Sequence, residues 1–379
     1  MLGFVENQSD NHIGQVRLRV SLMDAAGEVI ESQSASSLMS NLLPGEAGPF
    51  SASFDSADAP MEAQVEISTH ESADGSTVDG QESEQRPELV SDLDEFFVTG
   101  NGELAMMGFI TNPGNRHIAL DSLGFLGHSA NDRVKSIAIM QSGPKQLAPG
   151  ETAPFLALAP ENPGAVRWIL FHDGLISEPS NSSSMEIREE PRLHLTAQGA
   201  PFVVGTLVNT GKAATGSVLI SLFDGNRLIG LREVRTPRPL EAGEQLPFVA
   251  FGFPGISLRF DPGDPESIGV VTRVEQSAPD VASTVIDLPV DVATFLSVGS
   301  AIFIRGTIHN PMAFDVDAAT VYAEVRSSTG ELVTAGWSAP EKLVAGASVE
   351  FVLDLPIPVG MDATLTEYDL RAIGLRAES

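Results

Sequence analysis

One pattern is written four times along this chain. Gly, three residues, then Asn occurs at Gly3 to Asn7, Gly108 to Asn112, Gly205 to Asn209 and Gly306 to Asn310. The asparagines lie roughly 100 residues apart, the usual size of one domain. A second mark follows each: Leu-x-(Pro/Ala)-Gly with Phe five residues after the Gly. It reads LLPGEAGPF to Phe50, LAPGETAPF to Phe155, LEAGEQLPF to Phe248 and LVAGASVEF to Phe351.

The residues between the marks alternate as strands do. Two after each Gly stand Val5, Ile110, Leu207 and Ile308, and two before it Met106, Val203 and Ile304. Side chains two apart share one face of a strand, so that face is apolar and carries the Gly. A glycine there leaves room for a bulky group, and the sequence reading assigns that group to the Phe of the second mark, reaching across from an opposing sheet. Eleven and thirteen residues after the Asn come Leu18 and Val20, Leu123 and Phe125, Ile220 and Leu222, Val321 and Ala323. Arg17, Arg19 and Ser21 interleave the first pair as a polar outer face. The Asn reads as a cap on the turn after its strand, and Pro-Gly-Glu as a turn. No segment sustains apolar spacing of 3.6 over several turns, so helices are not expected.

These features predict an all-β chain of four tandem immunoglobulin-like β-sandwich domains joined by short linkers, the first lacking its leading strand. The expected boundaries are 1–69, 88–175, 191–277 and 278–379, with an acidic linker over 70–87 and a Ser-rich one over 176–190.

SLMDAAGEVI in the first copy and SLFDGNRLIG in the third, each between the Gly-x-x-x-Asn strand and the Leu-x-(Pro/Ala)-Gly-Glu turn, resemble the FxLYD family of immunoglobulin-like domains. The CARDB-type bacterial adhesion domain is similar in outline. The second copy departs from the motif with SLGFLGHSAND and the fourth with YAEVRSSTG. The resemblance implies a module of prokaryotic envelope or secreted proteins, used as spacer or contact surface, with no catalytic residues to carry over.

Composition sets the class. At 379 residues with 42% hydrophobic and 19% charged residues, the chain can bury four separate cores. Its net charge of −29 repels phosphate backbones and anionic lipid, so nucleic acid is not an expected partner. The absence of cysteine excludes disulfides, thiol catalysis and Cys-ligated zinc. No run of 18 apolar residues is present for a transmembrane helix, and no signal peptide is legible before the first strand. Met1 lies two residues before the first Gly, where the other copies carry a full strand such as FFVTGNGELAMMG. Two readings follow: the sequence is a fragment, or a neighbouring molecule supplies the strand.

The search for chemistry is thin. The seven histidines, His12, His70, His117, His128, His172, His194 and His309, show no HExxH or other tight metal spacing. His172 beside Asp173 reads as a surface turn rather than part of a triad. GTLVNTGKA, from Gly205 to Ala213, has one residue too many for a phosphate loop and Ala where Ser or Thr is needed. Calcium candidates are Asp261, Asp264 and Glu266, Asp315 with Asp317, and Asp92 with Asp94; none supplies the six or so oxygens of an EF-hand pattern. Trp168, Trp337, Tyr322 and Tyr368 share no repeat position, which argues against a sugar platform. Phe251, Phe253 and Ile256, in VAFGFPGISL, form a candidate contact patch, set against the plainer reading that they pack into their own core.

The expectation is a non-enzymatic structural or interaction protein: an extracellular or cell-envelope array acting as stalk, scaffold or adhesin, with protein partners or self-association, strand exchange at the N-terminus among them. No cofactor is called for beyond the calcium question. The alternative is a ligand-binding accessory holding sugar, peptide or calcium at loop ends or domain junctions.

Overall fold

In the computed structural model the described residues are 1–55, 62–72, 86–160, 164–178, 184–254, 256, 267–277, 283–298, 301–339, 341–360 and 367–377. Among them there is no α-helix; the chain is all-β, every strand pair is antiparallel, and the strands build multiple β-sandwich layers. The chain divides into two compact units, Met1–Ser180 and Asn181–Ser379. Asp261, Asp264, Glu266 and most of the 70–87 linker lie outside the described residues.

Each repeat is organised on a glycine strand: Leu2–Glu6, Leu104–Thr111, Pro201–Asn209 and Ala301–His309. Each glycine strand pairs with a phenylalanine strand, Ala47–Ser51, Thr152–Ala159, Gln245–Phe251 and Ser348–Pro356. The register brings the marks together. Gly3 stands opposite Phe50, Gly108 opposite Phe155, Gly205 opposite Phe248 and Gly306 opposite Phe351. The phenylalanine therefore belongs to the same sheet as its glycine, which corrects the expectation of an opposing sheet. Cross-strand neighbours are close enough for the ring to fold over the bare backbone. A Cβ built on Gly205 would stand 2.6 Å from Phe248 Cζ, and one on Gly3 2.5 Å from Phe50 Cζ.

The partner layer is built on Ile13–Met23, Thr215–Asp224 and Val316–Arg326, flanked by Val29–Ser36 and Glu62–Ser72 in the first repeat, Arg227–Arg235 and Ile268–Ser277 in the third, and Leu332–Trp337 and Glu367–Ala377 in the fourth. Alternation does its expected work there. Val16, Leu18, Val20 and Leu22 are buried while Arg17 and Arg19 face water. The second repeat differs: Val134–Ser142 pairs with both Leu123–His128 and Thr152–Ala159, joining its two layers into one six-stranded sheet.

Three glycine strands carry a leading strand on their other edge. Val90–Val98 covers the second, Met185–Ile187 and Arg192–Leu195 together the third, and Val290–Val298 the fourth. Met185–Ile187 falls within the stretch read as linker over 176–190. Met185 is 2% exposed and belongs to the third repeat's core, so an apolar side chain in a pairing register makes strand of it. Among the described residues the first glycine strand pairs with Ala47–Ser51.

Candidate functional site

The repeated asparagine is the most constrained polar group. Asn7, Asn112, Asn209 and Asn310 are all at most 2% exposed. Each Nδ2 donates to two or more carbonyls. In the third repeat these are Lys212 O at 2.8 Å and Leu240 O at 2.6 Å; in the fourth, Phe314 O and Leu343 O, both at 3.0 Å. Asn7 reaches Asn11 O and Leu42 O, and Asn112 reaches Arg116 O and Leu147 O. Each Oδ1 accepts the amide two residues on, from Ser9, Gly114, Gly211 or Met312. The backbone repeats the tie: Gly45, Gly150, Gly243 and Gly346, all at positive φ, donate to the carbonyl of their asparagine. The side chain does more than cap its own turn. It binds the first mark to the Leu of the second, which commits both amide protons to backbone carbonyls.

The turn glutamate of the second mark recurs as well. Glu46, Glu151 and Glu244 each accept an amide of their own turn, from Leu43, Ala148 and Glu241. Two of them also receive an arginine, half-buried Arg86 and buried Arg238. Arg86 bonds Glu46 through Nε and Nη2 and donates to Asn41 O at 3.1 Å. Arg238, 4% exposed, grips Glu244 through both terminal nitrogens and lies 5.6 Å from the Tyr322 ring centroid. Burial works to raise the Glu244 carboxyl, but the bonds from Arg238 and the Glu241 amide hold it below the usual range. Burial lifts Tyr322 to about 12, so its phenol stays neutral.

His172 and Asp173 are not half of a triad. Asp173 is 2% exposed rather than at the surface, and its carboxylate accepts from the amides of Asp121, Ser122 and Ser40 and from Ser40 Oγ. Ser40 thus bonds the acid directly and not an imidazole. His172 Nδ1 accepts the Gly174 amide at 3.1 Å; burial first, and the Arg86 charge second, lower its pKa to about 4. The imidazole is neutral at pH 7, with its proton on Nε2.

Among the described residues no three His, Cys, Asp or Glu side chains gather to hold a metal ion. Asp315 is engaged by the Ala345 amide and Lys342, and Asp92 and Asp94 point outward from one exposed strand face. Of the four large aromatics, Trp168 packs on the second repeat's core, Tyr322 is buried, and Tyr368 stacks on Phe295 at 4.7 Å.

Trp337 lines a groove of about 380 Å³ within the second unit, together with Arg232, Arg235, Phe251, Val352 and Leu355. Gly336 lets the Leu355 side chain in, since a Cβ there would meet Leu355 Cδ2 at 2.6 Å. Arg235 is bidentate on Glu233, and Phe251 and Val352 are 50% and 61% exposed. The candidate patch therefore shrinks to Phe251. Phe253 and Ile256 are each 4% exposed and pack over Gly230, because the turn at Gly252, φ +68°, carries the chain inward after Phe251. Glu233 and Asp354 also line it, so its arginines are matched by two acids, and the groove offers aromatic walls with a rim of mixed charge.

No protein-family model matches the chain, and no curated protein matches it. Among solved structures it is similar to dimeric latent PorU from Porphyromonas gingivalis, at 11% identity over 77% of this chain and 33% of that one, with a TM-score of 0.15. It is also similar to a tetra-tandem repeat in the extending region of a large adhesion protein, at 12% identity over 97% of this chain and 89% of that one, with a TM-score of 0.14. The chain thus spans about a third of the PorU chain. No helix is long and apolar enough to cross a membrane among the described residues.

Proposed function

We propose that this chain is a non-catalytic array of β-sandwich repeats, of the FxLYD-like type its motifs resemble, serving as scaffold, stalk or adhesin in a prokaryotic cell envelope or outside the cell. One observation carries the reading. The residues that recur in every repeat are used up by folding: each asparagine amide is bonded within its own repeat and each glycine is spent on backbone approach. A repeated unit whose recurrent residues are structural offers its surfaces, not a shared reaction centre, as its function. The net charge of −29 keeps such an array soluble and apart from nucleic acid. The test pairs two assays on the purified chain: binding to intact cells and extracellular matrix proteins, and screens for hydrolysis and group transfer. Saturable binding without turnover is the expected result. Turnover abolished by His172→Ala would overturn the reading.

A second reading, a ligand-binding accessory, is supported by the groove at Phe251 and Trp337. Titration of sugars and peptides against tryptophan fluorescence tests it, with Phe251→Ala as the control that should lose the signal.

A further inference from the structure

Each compact unit contains a junction between successive repeats, and the two junctions are closed by different chemistry. In the second unit apolar side chains carry it. Tyr322 and Ile373 of the fourth repeat belong to the core of the third, and Val285 and Trp337 pack against that core. In the first unit the bonds are polar and converge on two consecutive residues of the second repeat. Asp173 accepts the Ser40 amide and hydroxyl on its carboxylate, and Asn41 Nδ2 on its carbonyl at 3.2 Å. Gly174 O accepts from Arg86 Nη1 at 3.4 Å, and the same guanidinium is bound to Glu46 and to Asn41 O. Ser40, Asn41 and Glu46 all belong to the first repeat. Phe171, just before these residues, packs on that repeat's core.

His172 holds the turn that presents both carbonyls. Its Nδ1 accepts the Gly174 amide at 3.1 Å. The turn has no slack, since a Cβ on Gly174 would stand 2.8 Å from Leu120 Cδ2 and 2.9 Å from both His172 Nδ1 and Ile118 Cγ2. A protonated imidazole carries hydrogen on both nitrogens. The proton on Nδ1 would then face the Gly174 amide proton, and ring or turn must give way. Four charged groups surround the site. Arg86 opposes a cation on the ring, while Asp173 and, from the first repeat's turn, Glu46 favour it. Asp121 stands at the rim, 3.5 Å from Ser40 Oγ. Burial and Arg86 prevail, which lowers the imidazole pKa to about 4.

We propose that the junction of the first and second repeats is an acid-released latch: proton uptake at His172 frees the Asp173–Gly174 turn, and with it the bonds to Ser40, Asn41 and Arg86, while both repeats stay folded. The inference goes beyond the scaffold reading and does not rest on it, because it concerns how two repeats hold to each other. Its pH range follows from linkage. An open junction returns the ring to its ordinary pKa of 6.5, so the open state takes up the proton first as pH falls. The latch is at full strength above about pH 6.5, and the ratio of closed to open junctions drops about a hundredfold by pH 4.

Amide hydrogen exchange of the full chain from pH 7 to pH 4, corrected for the intrinsic rate, reads that ratio. Protection of the Ser40 and Gly174 amides should fall together by about tenfold or more. The core strands at Leu18 and Phe125, and the second unit's junction at Tyr322 and Ile373, should keep theirs. In His172→Gln the side-chain oxygen can accept the Gly174 amide at every pH, and the fall should vanish. An equal fall in His172→Gln would assign the sensitivity to the carboxylates and overturn the proposal. So would unchanged protection at Ser40 in the wild type, or a loss at Leu18 and Phe125 in step with it, which would be unfolding rather than release.

Discussion

Phe248 lies directly across the sheet from Gly205, its ring tip 2.6 Å from where a Cβ would stand. The ring is 1% exposed and belongs to the third repeat's core, so glycine and ring form one packing unit rather than two separate choices. Replacing the glycine adds a methyl to a filled space. Gly205→Ala should destabilise by about 1–3 kcal/mol even though Ala is the better strand residue, because overpacking outweighs the entropy gained. Gly108→Ala and Gly306→Ala should cost more, since there the clash is with a backbone oxygen that cannot swing aside as a ring can. Denaturant unfolding of the three variants checks the order, and Phe248→Leu should relieve Gly205→Ala in a double-mutant cycle.

The asparagine amide donates and accepts at once. Asn209→Ala strands the Leu240 and Lys212 carbonyls and the Gly211 amide, for a loss of about 2–4 kcal/mol. Asn209→Asp is the sharper probe. It keeps size and acceptor but places a carboxylate against two carbonyls, so it should be at least as destabilising as Ala. Thermal melts at neutral pH decide between the two.

His172 gives an unfolding signature in pH. Its folded pKa of about 4 lies below the 6.5 of an unfolded chain. The unfolded state therefore takes up the proton first as pH falls. The stability tied to the neutral ring is fully present above about pH 6.5 and declines towards pH 4, by up to about 3 kcal/mol. His172→Gln lacks this slope. Melting both proteins across pH 7 to 4 should show the wild type losing more, the difference opening between pH 6.5 and 4.

Buried Arg238 is paired with half-buried Glu244, and the energetics of the pair are asymmetric. Glu244→Ala leaves a buried guanidinium beside Tyr322 with Pro239 O but without its carboxylate and should cost about 2–4 kcal/mol, below the cost of breaking a fully buried pair. Arg238→Met with Glu244→Gln removes both charges and should be milder than Glu244→Ala alone. Calorimetric melts of the single and double variants test the ordering.

Much of this fold is legible in the alternation of side chains. A strand shows itself two residues at a time, so Leu18 and Val20, or Ile220 and Leu222, could be placed inside from spacing alone. What spacing does not carry is pairing. Nothing in the order of residues says that Phe248 sits beside Gly205 in one sheet rather than across from it in another, since both arrangements bring a ring to a bare backbone. The reach of the asparagine was hidden for a related reason: its partners are carbonyls, which every residue has. Arg86 and Arg238 were missed, and the available signal was their company. Each serves a Glu that recurs three residues after a turn-forming Leu or Glu position. The short strand at Met185 was lost among serines, where a single buried methionine is a weak mark. For the contact patch, three apolar residues in a row of glycines and prolines looked alike, and only the turn at Gly252 separates Phe251 outside from Phe253 within.

The most direct test of a single β unit written four times is hydrogen exchange on four matched variants, Asn7→Ala, Asn112→Ala, Asn209→Ala and Asn310→Ala. Each should raise exchange first and most in the glycine and phenylalanine strands of its own repeat, with the same pattern in all four. A variant whose own strands stay as protected as in the wild type would contradict the account, because that asparagine would then serve something other than the fold.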